Sequence, residues 1–333
     1  MSLDRTPASG DRPVLDVRGL RVDFGGPRIV DGVDLRLNRG RLLCLVGESG
    51  SGKSMTALSL MGLLPPGARV TSERFALEGE DLSKASEKAM NALRGDRVAM
   101  VFQEPMTSLN PVMSVGEQMA EILEAHRGAS RAEARTAALY MLRRVKIPDP
   151  EARLAAYPHQ LSGGMRQRGM IAMALICRPA LLIADEPTTA LDVTIQSQIL
   201  HLVDALRAEL GTAVLFITHN LALVSEIADE IAVMYAGRIV EKGSRADLFD
   251  DPMHPYTLSL LAALPREEDV GGPLTTIEGQ PPAVGRMPQG CRFAPRCPFV
   301  QERCRAAYPP LAEVAPGHWA ACWRAPLERS VAP

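Results

Sequence analysis

Residues 47–54 read Gly-Glu-Ser-Gly-Ser-Gly-Lys-Ser and fill every fixed position of the pattern G-x-x-x-x-G-K-[ST]. The pattern works only where a buried strand delivers the chain and a helix carries it away. Glycines then turn successive backbone N–H groups inward, and the helix N-terminus adds its positive end. Both flanks are present. Leu42–Val46 is an unbroken apolar run, as in a strand covered on both faces, and Lys53–Leu63 carries a helical pattern. The loop is therefore read as a polyphosphate cradle built from Gly47, Glu48, Ser49, Gly50, Ser51 and Gly52. Lys53 is expected to reach the β- and γ-phosphates of a nucleoside triphosphate, and the Ser54 hydroxyl to ligate Mg²⁺.

Further strand patterns lie at Val14–Val22 and Ile29–Leu37, the second followed by a turn at Asn38-Arg39-Gly40. Buried-strand patterns recur at Val98–Phe102, Leu181–Ala184, Val214–Thr218 and Ile231–Met234, and helical patterns at Val193–Leu210 and Leu221–Ala228. Strands alternating with helices predict an α/β domain with a largely parallel core sheet. Residues 112–176 interrupt the alternation as helix after helix. Ser114-x-x-Glu117 and Ser130-x-x-Glu133 have capping-box form, and Ala138, Met141, Leu142 and Val145 give the second helix one apolar face. Pro148-Asp149-Pro150 is expected to end it. The reading is an α/β core over 13–265 with an inserted helical subdomain at about 112–176. Residues 1–12 are polar and expected to be disordered. After Leu264-Pro265 the composition turns to Gly, Pro and Cys, marking 266–333 as a small cysteine-containing C-terminal extension.

The composition excludes some roles. A net charge of −2 and a pI near 6.3 give no basic nucleic-acid footprint. The best apolar run, Gly169 to Cys177, is cut by Arg178-Pro179 and is too short to span a bilayer. The N-terminus has no apolar segment of the secretory kind. Work at a membrane would need another chain to supply the spanning part. Cys44 and Cys177 sit in apolar stretches, as buried small hydrophobes do. Cys291, Cys297, Cys304 and Cys322 crowd the last 43 residues. Without an export signal such a group reads as a metal or cluster site rather than disulfides. Their separations of 5, 6 and 17 residues match neither close zinc pairs nor ferredoxin spacing, so iron–sulfur cluster, zinc and plain thiols stay open on spacing.

Leu181–Ala184 ends in two carboxylates. Asp185, at the strand tip, can hold the Mg²⁺ shell. Glu186, one residue on, can take a proton from an attacking water. Together with the phosphate loop they indicate triphosphate hydrolysis. In Leu161-Ser-Gly-Gly-Met-Arg-Gln167, Ser162 is a candidate N-cap and Gly163 and Gly164 open the helix, giving a second anion-binding helix start.

That segment resembles the signature of the ABC-type ATPases, a P-loop NTPase family, and the resemblance runs over roughly residues 14–250. It implies ATP as substrate. It also implies that Gln103 touches Mg²⁺ and the attacking water, that His219 contacts the γ-phosphate, that Asp192 belongs to the D-loop Ala190-Leu191-Asp192, and that Phe24 stacks on adenine. In this family two ATPase domains pair head to tail, so Ser162, Gly163 and Gly164 would serve the ATP of a partner subunit. Met165 in the signature, the run Gln103–Pro111, His254-Pro-Tyr-Thr257 and Gly290-Cys-Arg-Phe-Ala-Pro-Arg-Cys297 are similar to the dipeptide and oligopeptide importers. This branch implies two permease subunits, a second, homologous ATPase in a heterodimer, and an extracytoplasmic solute-binding protein. It places the chain peripherally at the cytoplasmic face of the inner membrane. It further implies a [4Fe–4S] cluster on Cys291, Cys297, Cys304 and Cys322, with Zn²⁺ the alternative, stapling the tail. Nickel and glutathione importers share much of the pattern. Soluble ABC ATPases usually carry tandem domains or a long coiled coil, and neither pattern is found. Intact Glu186 and His219 speak against an iron–sulfur regulator that uses ATP only as a signal.

Overall fold

A computed structural model of the protein describes residues 12–103, 108–189, 192–264 and 277–327. Its contacts divide the chain into two compact units. One comprises residues up to Val17, Leu35–Leu42 and Arg74–Ile217; the other comprises Arg18–Asp34, Leu43–Glu73 and the chain from Thr218 onward. The N-terminus through residue 11, residues 104–107 of the run after Gln103, Ala190 and Leu191 of the D-loop, and the segment 265–276 with its expected boundary lie outside the described residues.

The first unit is built on the parallel strands Val98–Val101, Leu181–Asp185 and Ala213–Thr218, with Leu181–Asp185 in the middle. Every residue of the last two strands is buried, which is why their sequences show no alternation. Between residues 102 and 180 the described residues hold helices and no strand: Val115–Arg127, Arg131–Arg144, Pro150–Arg153 and Gly163–Leu175. Both expected capping boxes form. The Ser114 hydroxyl accepts from the Glu117 N–H while Glu117 accepts from the Ser114 N–H, and Ser130 and Glu133 repeat the exchange. The second of these helices stops before Pro148, which is a correction to the expected boundary. Lys146 takes a left-handed φ of 56°, and the N–H groups of Lys146 and Ile147 close onto the carbonyls of Arg143 and Leu142. The helix thus satisfies its own last carbonyls, and Pro150 opens the next one instead.

In the second unit Leu42–Val46 runs parallel to Glu230–Tyr235, which pairs antiparallel with Arg238–Ser244 through a two-residue turn. Ala236 and Gly237 both have positive φ, 46° and 88°, as a type I′ hairpin requires. The tail extends this sheet. His318–Ala320 pairs with Arg238–Ser244, and Ala312–Ala315 pairs with His318–Ala320. A buried carboxylate fastens it: Glu241, with 0% of its surface exposed, accepts from the backbone N–H groups of Met253 (2.6 Å) and His254 (3.0 Å) and from His318 Nε2 (2.8 Å). The extension also contributes a buried ring. Phe293 packs edge-on against Tyr235 and tilted against Tyr256. No helix among the described residues is long and apolar enough to cross a membrane.

Candidate functional site

The phosphate loop belongs to the second unit and is shaped by close backbone approaches. A Cβ on Gly47 would lie 2.2 Å from the Met234 carbonyl oxygen, and one on Gly52 (φ 105°) would lie 3.0 Å from the Ile29 carbonyl oxygen. A side chain at Gly47 would have to move the Met234 strand, and one at Gly52 would be strained by its left-handed φ. Lys53 starts the helix Lys53–Met61 and is 4% exposed; its ammonium donates to the carbonyls of Gly47 (2.8 Å) and Glu48 (3.1 Å). Ser54 is half-buried, Ser49 and Gly50 are exposed, and Ser51 is buried with no hydrogen-bond partner for its hydroxyl. Glu48, one of the expected cradle residues, is held by two segments that follow later in the chain. Its N–H donates to the Tyr256 hydroxyl (2.9 Å), and its carboxylate accepts from Arg296 at 2.7 and 2.9 Å. Hydrogen bonding to Glu48 and Tyr235 holds the Arg296 pKa above the ordinary guanidinium value. Asp31 is a second anchor for the tail, taking Arg238 and Arg292 at 2.7 and 2.6 Å. Burial works against its charge, yet bonds from Arg238 and Arg28 bring its pKa to about 2. Phe24 is 41% exposed, and His219 is exposed at the end of Ala213–Thr218.

The first unit brings Gln103 and Glu186 together although 83 residues separate them. The cause is the parallel pairing of their strands. Gln103 Nε2 donates to Glu186 Oε2 at 3.2 Å, and the Thr189 hydroxyl donates to the same oxygen at 3.1 Å. Glu186 has φ 45°, a left-handed conformation that costs a non-glycine residue about 1 kcal/mol or more and clusters at functional sites. Its N–H donates to the Ile217 carbonyl (2.9 Å), which fixes the turn after the strand. Asp185 is buried at the strand tip. Ser162 caps Gly163–Leu175 by accepting from the Met165 N–H, leaving an exposed helix start at Ser162 and Gly163. Asp192 caps Val193–Leu210 through the Ile195 N–H (2.9 Å).

Cys291, Cys297, Cys304 and Cys322 line one pocket of the second unit, together with His254, Phe293, Phe299 and Trp323. Burial raises the pKa values of Cys291, Cys297 and Cys322, with neighbouring thiols adding to the rise, and that of Cys291 reaches about 11. Among the described residues no three His, Cys, Asp or Glu side chains are disposed to hold a single metal ion. Neither the [4Fe–4S] cluster nor the zinc alternative is therefore supported by an assembled ligand group. His254 is 1% exposed. Its Nδ1 accepts from the Tyr256 N–H (3.0 Å), so Nε2 carries the proton, and that buried N–H has no partner. Burial pushes its pKa down to about 3, keeping the ring neutral.

Sequence reasoning missed Arg296, Arg292, Glu241 and the roles of Tyr256 and His254. The runs His254–Thr257 and Gly290–Cys297 were visible as resemblances, but nothing local to either run points at the phosphate loop.

Residues 30–189 match the ABC transporter family, and residues 240–304 match the C-terminal region of oligopeptide/dipeptide transporters. The chain is 48% identical to the oligopeptide transport ATP-binding protein OppD of Salmonella typhimurium over 98% of its own length and 99% of the relative's. It is 49% identical to the dipeptide transport ATP-binding protein DppD of Bacillus subtilis, over 93% and 94%. Among solved structures it is similar to cbiO1 of Clostridium perfringens, part of the ABC transporter complex cbiONQ. That match has a TM-score of 0.63 and 26% identity, and covers 72% of this chain and 92% of the other.

Proposed function

This chain belongs to the ABC transporter ATP-binding family, in the branch of the peptide-import subunits, and on that premise we propose the following working assignment. It is an ATPase subunit that energises uptake of dipeptides or oligopeptides through separate permease chains. The near full-length identity to peptide-transport ATP-binding proteins carries this reading, and the match of the tail region narrows it to that branch.

Gly47–Ser54 binds the phosphates of ATP, with Lys53 on the β- and γ-phosphates. Ser54, Asp185 and Gln103 would hold Mg²⁺, which supplies charge neutralisation on the transferring phosphoryl group. Glu186 takes a proton from the attacking water, and Gln103 and Thr189 orient its carboxylate. His219 contacts the γ-phosphate, and Phe24 stacks on the base. Ser162, Gly163 and Gly164 face the ATP of a second, homologous ATPase, with Asp192 beside them. Two permease subunits and an extracytoplasmic solute-binding protein complete the importer, and the chain sits at the cytoplasmic face of the inner membrane. The working parts are an ATPase core over 13–265, with its helical insertion, and the extension from 266.

For the four thiols we propose a [4Fe–4S] cluster, with one zinc ion the alternative. Four cysteines line one pocket with apolar walls, and His254 Nε2–H is an unpaired donor on the wall, suited to a cluster sulfur. When bound, such a cluster would cross-link the tail.

Reconstitution into liposomes with two permeases and the binding protein tests the transport reading. ATP-dependent uptake of labelled peptide is expected; uptake of nickel or glutathione with none of peptide would overturn it. Iron and sulfide in equal amounts after oxygen-free purification are expected for the tail, and stoichiometric zinc would refute the cluster.

A further inference from the structure

The cysteine-bearing tail reaches the phosphate loop through one side chain. Arg296 ends the short turn Ala294–Arg296, immediately before Cys297, and its side chain is 4% exposed. Its guanidinium forks onto both oxygens of Glu48 at 2.7 and 2.9 Å and donates to the carbonyls of Glu278 (2.9 Å) and Ile277 (3.2 Å). The N–H of Glu48 is tied to the Tyr256 hydroxyl, and Tyr256 packs on Phe293. Residue 48 is thus gripped by backbone and by side chain. The two grips come from segments that also line the cysteine pocket, through His254 and Pro255 on one side and Cys291, Phe293, Ala294 and Cys297 on the other.

A loop rich in glycine loses much conformational freedom when it closes around phosphate. A forked, shielded arginine–carboxylate pair restricts the loop before the ligand arrives and lowers that cost. Glu48 occupies a variable position of the motif, so the phosphate pattern itself does not call for this pair.

We propose that Arg296 is a positioning residue for ATP binding: by holding Glu48 it sets the phosphate loop, and it makes the order of the cysteine tail a determinant of nucleotide affinity. This rests on the reading that the loop binds ATP, and it holds whatever group the thiols carry.

Binding of a fluorescent ATP analogue with Mg²⁺ to the purified full chain tests it, alongside melting curves and ATPase kinetics. Arg296→Ala is expected to weaken binding on the order of tenfold, the scale of losing a charge-assisted fork. Arg296→Lys should recover part of the loss, since an ammonium pairs with Glu48 but cannot fork. KM for ATP should rise while kcat at saturation holds, because Glu186 is untouched. Glu48→Gln should weaken binding alone yet add little to Arg296→Ala, as expected for partners in one contact. Cys297→Ser should weaken binding in the wild-type background and have no further effect beside Arg296→Ala. Wild-type affinity in Arg296→Ala, or a lower melting temperature with affinity unaltered, overturns the proposal. Should Arg296→Ala fail to fold, the isosteric Glu48→Gln decides, with wild-type affinity again overturning it. Failure of the unaltered chain to bind the analogue would refute the ATP reading itself.

Discussion

Replacing Glu241 with Gln should undo the docking of the tail sheet while leaving the phosphate-loop sequence intact. Glu241 Oε1 accepts from Met253 N–H and His318 Nε2, and Oε2 accepts from His254 N–H. An amide offers one acceptor oxygen, so in either orientation its NH₂ group confronts at least one buried donor. Leaving such a donor unsatisfied costs about 1–3 kcal/mol, and losing the charge on the remaining bonds adds to it, for a total of about 2–4 kcal/mol. The variant should also change how stability depends on pH. The hydrogen bond to Glu241 raises the pKa of His318 above its ordinary 6.5. The folded state therefore holds that proton more tightly than the unfolded chain does. The stabilisation is full below pH 6.5 and is lost as pH rises through the elevated folded value. In Glu241→Gln that alkaline decline should flatten. Hydrogen exchange on Arg238–Ser244, Ala312–Ala315 and His318–Ala320, with denaturant melts on both sides of the window, measures both effects. Unchanged protection of these strands, or an alkaline decline as steep as in the wild type, would refute the role given to Glu241.

Other substitutions probe the nucleotide machinery. Lys53→Ala should abolish ATP binding or turnover with the melting transition kept, and unaltered turnover would remove Lys53 from the site. Glu186→Gln should retain ATP and slow hydrolysis by roughly 10²–10⁴-fold, the range for a lost general base, with both ATPases substituted so that the partner does not mask it. Gly47→Ala should destabilise the chain as well as its nucleotide binding, because the added methyl meets the Met234 carbonyl at 2.2 Å; a stable, fully active variant would contradict that packing.

The α/β order was legible because buried strands and capped helices write themselves locally. Leu42–Val46 is apolar at every position and buried at every position, and Ser114 and Ser130 each announce a helix start by the glutamate three residues on. The end of Arg131–Arg144 was misplaced because Lys146 adopts a left-handed turn that no glycine or asparagine advertises. Gln103 and Glu186 could be named as candidates, but their hydrogen bond depends on which strands lie side by side, and spacing is silent on that. The Glu48–Arg296 pair spans 248 residues, and each partner sits in a run with its own local explanation, a phosphate motif and a cysteine motif. Glu241 is a lone acid in a strand, which by sequence reads as a solvent-facing position. Its burial follows only once the tail strands cover that edge.

The turn at Ala236-Gly237 bears on where foreign sequence can be spliced into this chain. Hairpin tips are ordinarily good places for an epitope tag or a reporter domain, since they protrude and touch little. This one is buried, a Cβ on Gly237 would lie 2.4 Å from the Ile29 carbonyl oxygen, and the Gly237 N–H donates to the Ser51 carbonyl. An insert there would displace the rear wall of the phosphate loop. The helix-ending turn at Gly128 is exposed, and a Cβ there would meet nothing within 4 Å. For anyone attaching a label to follow this ATPase at work, the least conspicuous loop is the usable one.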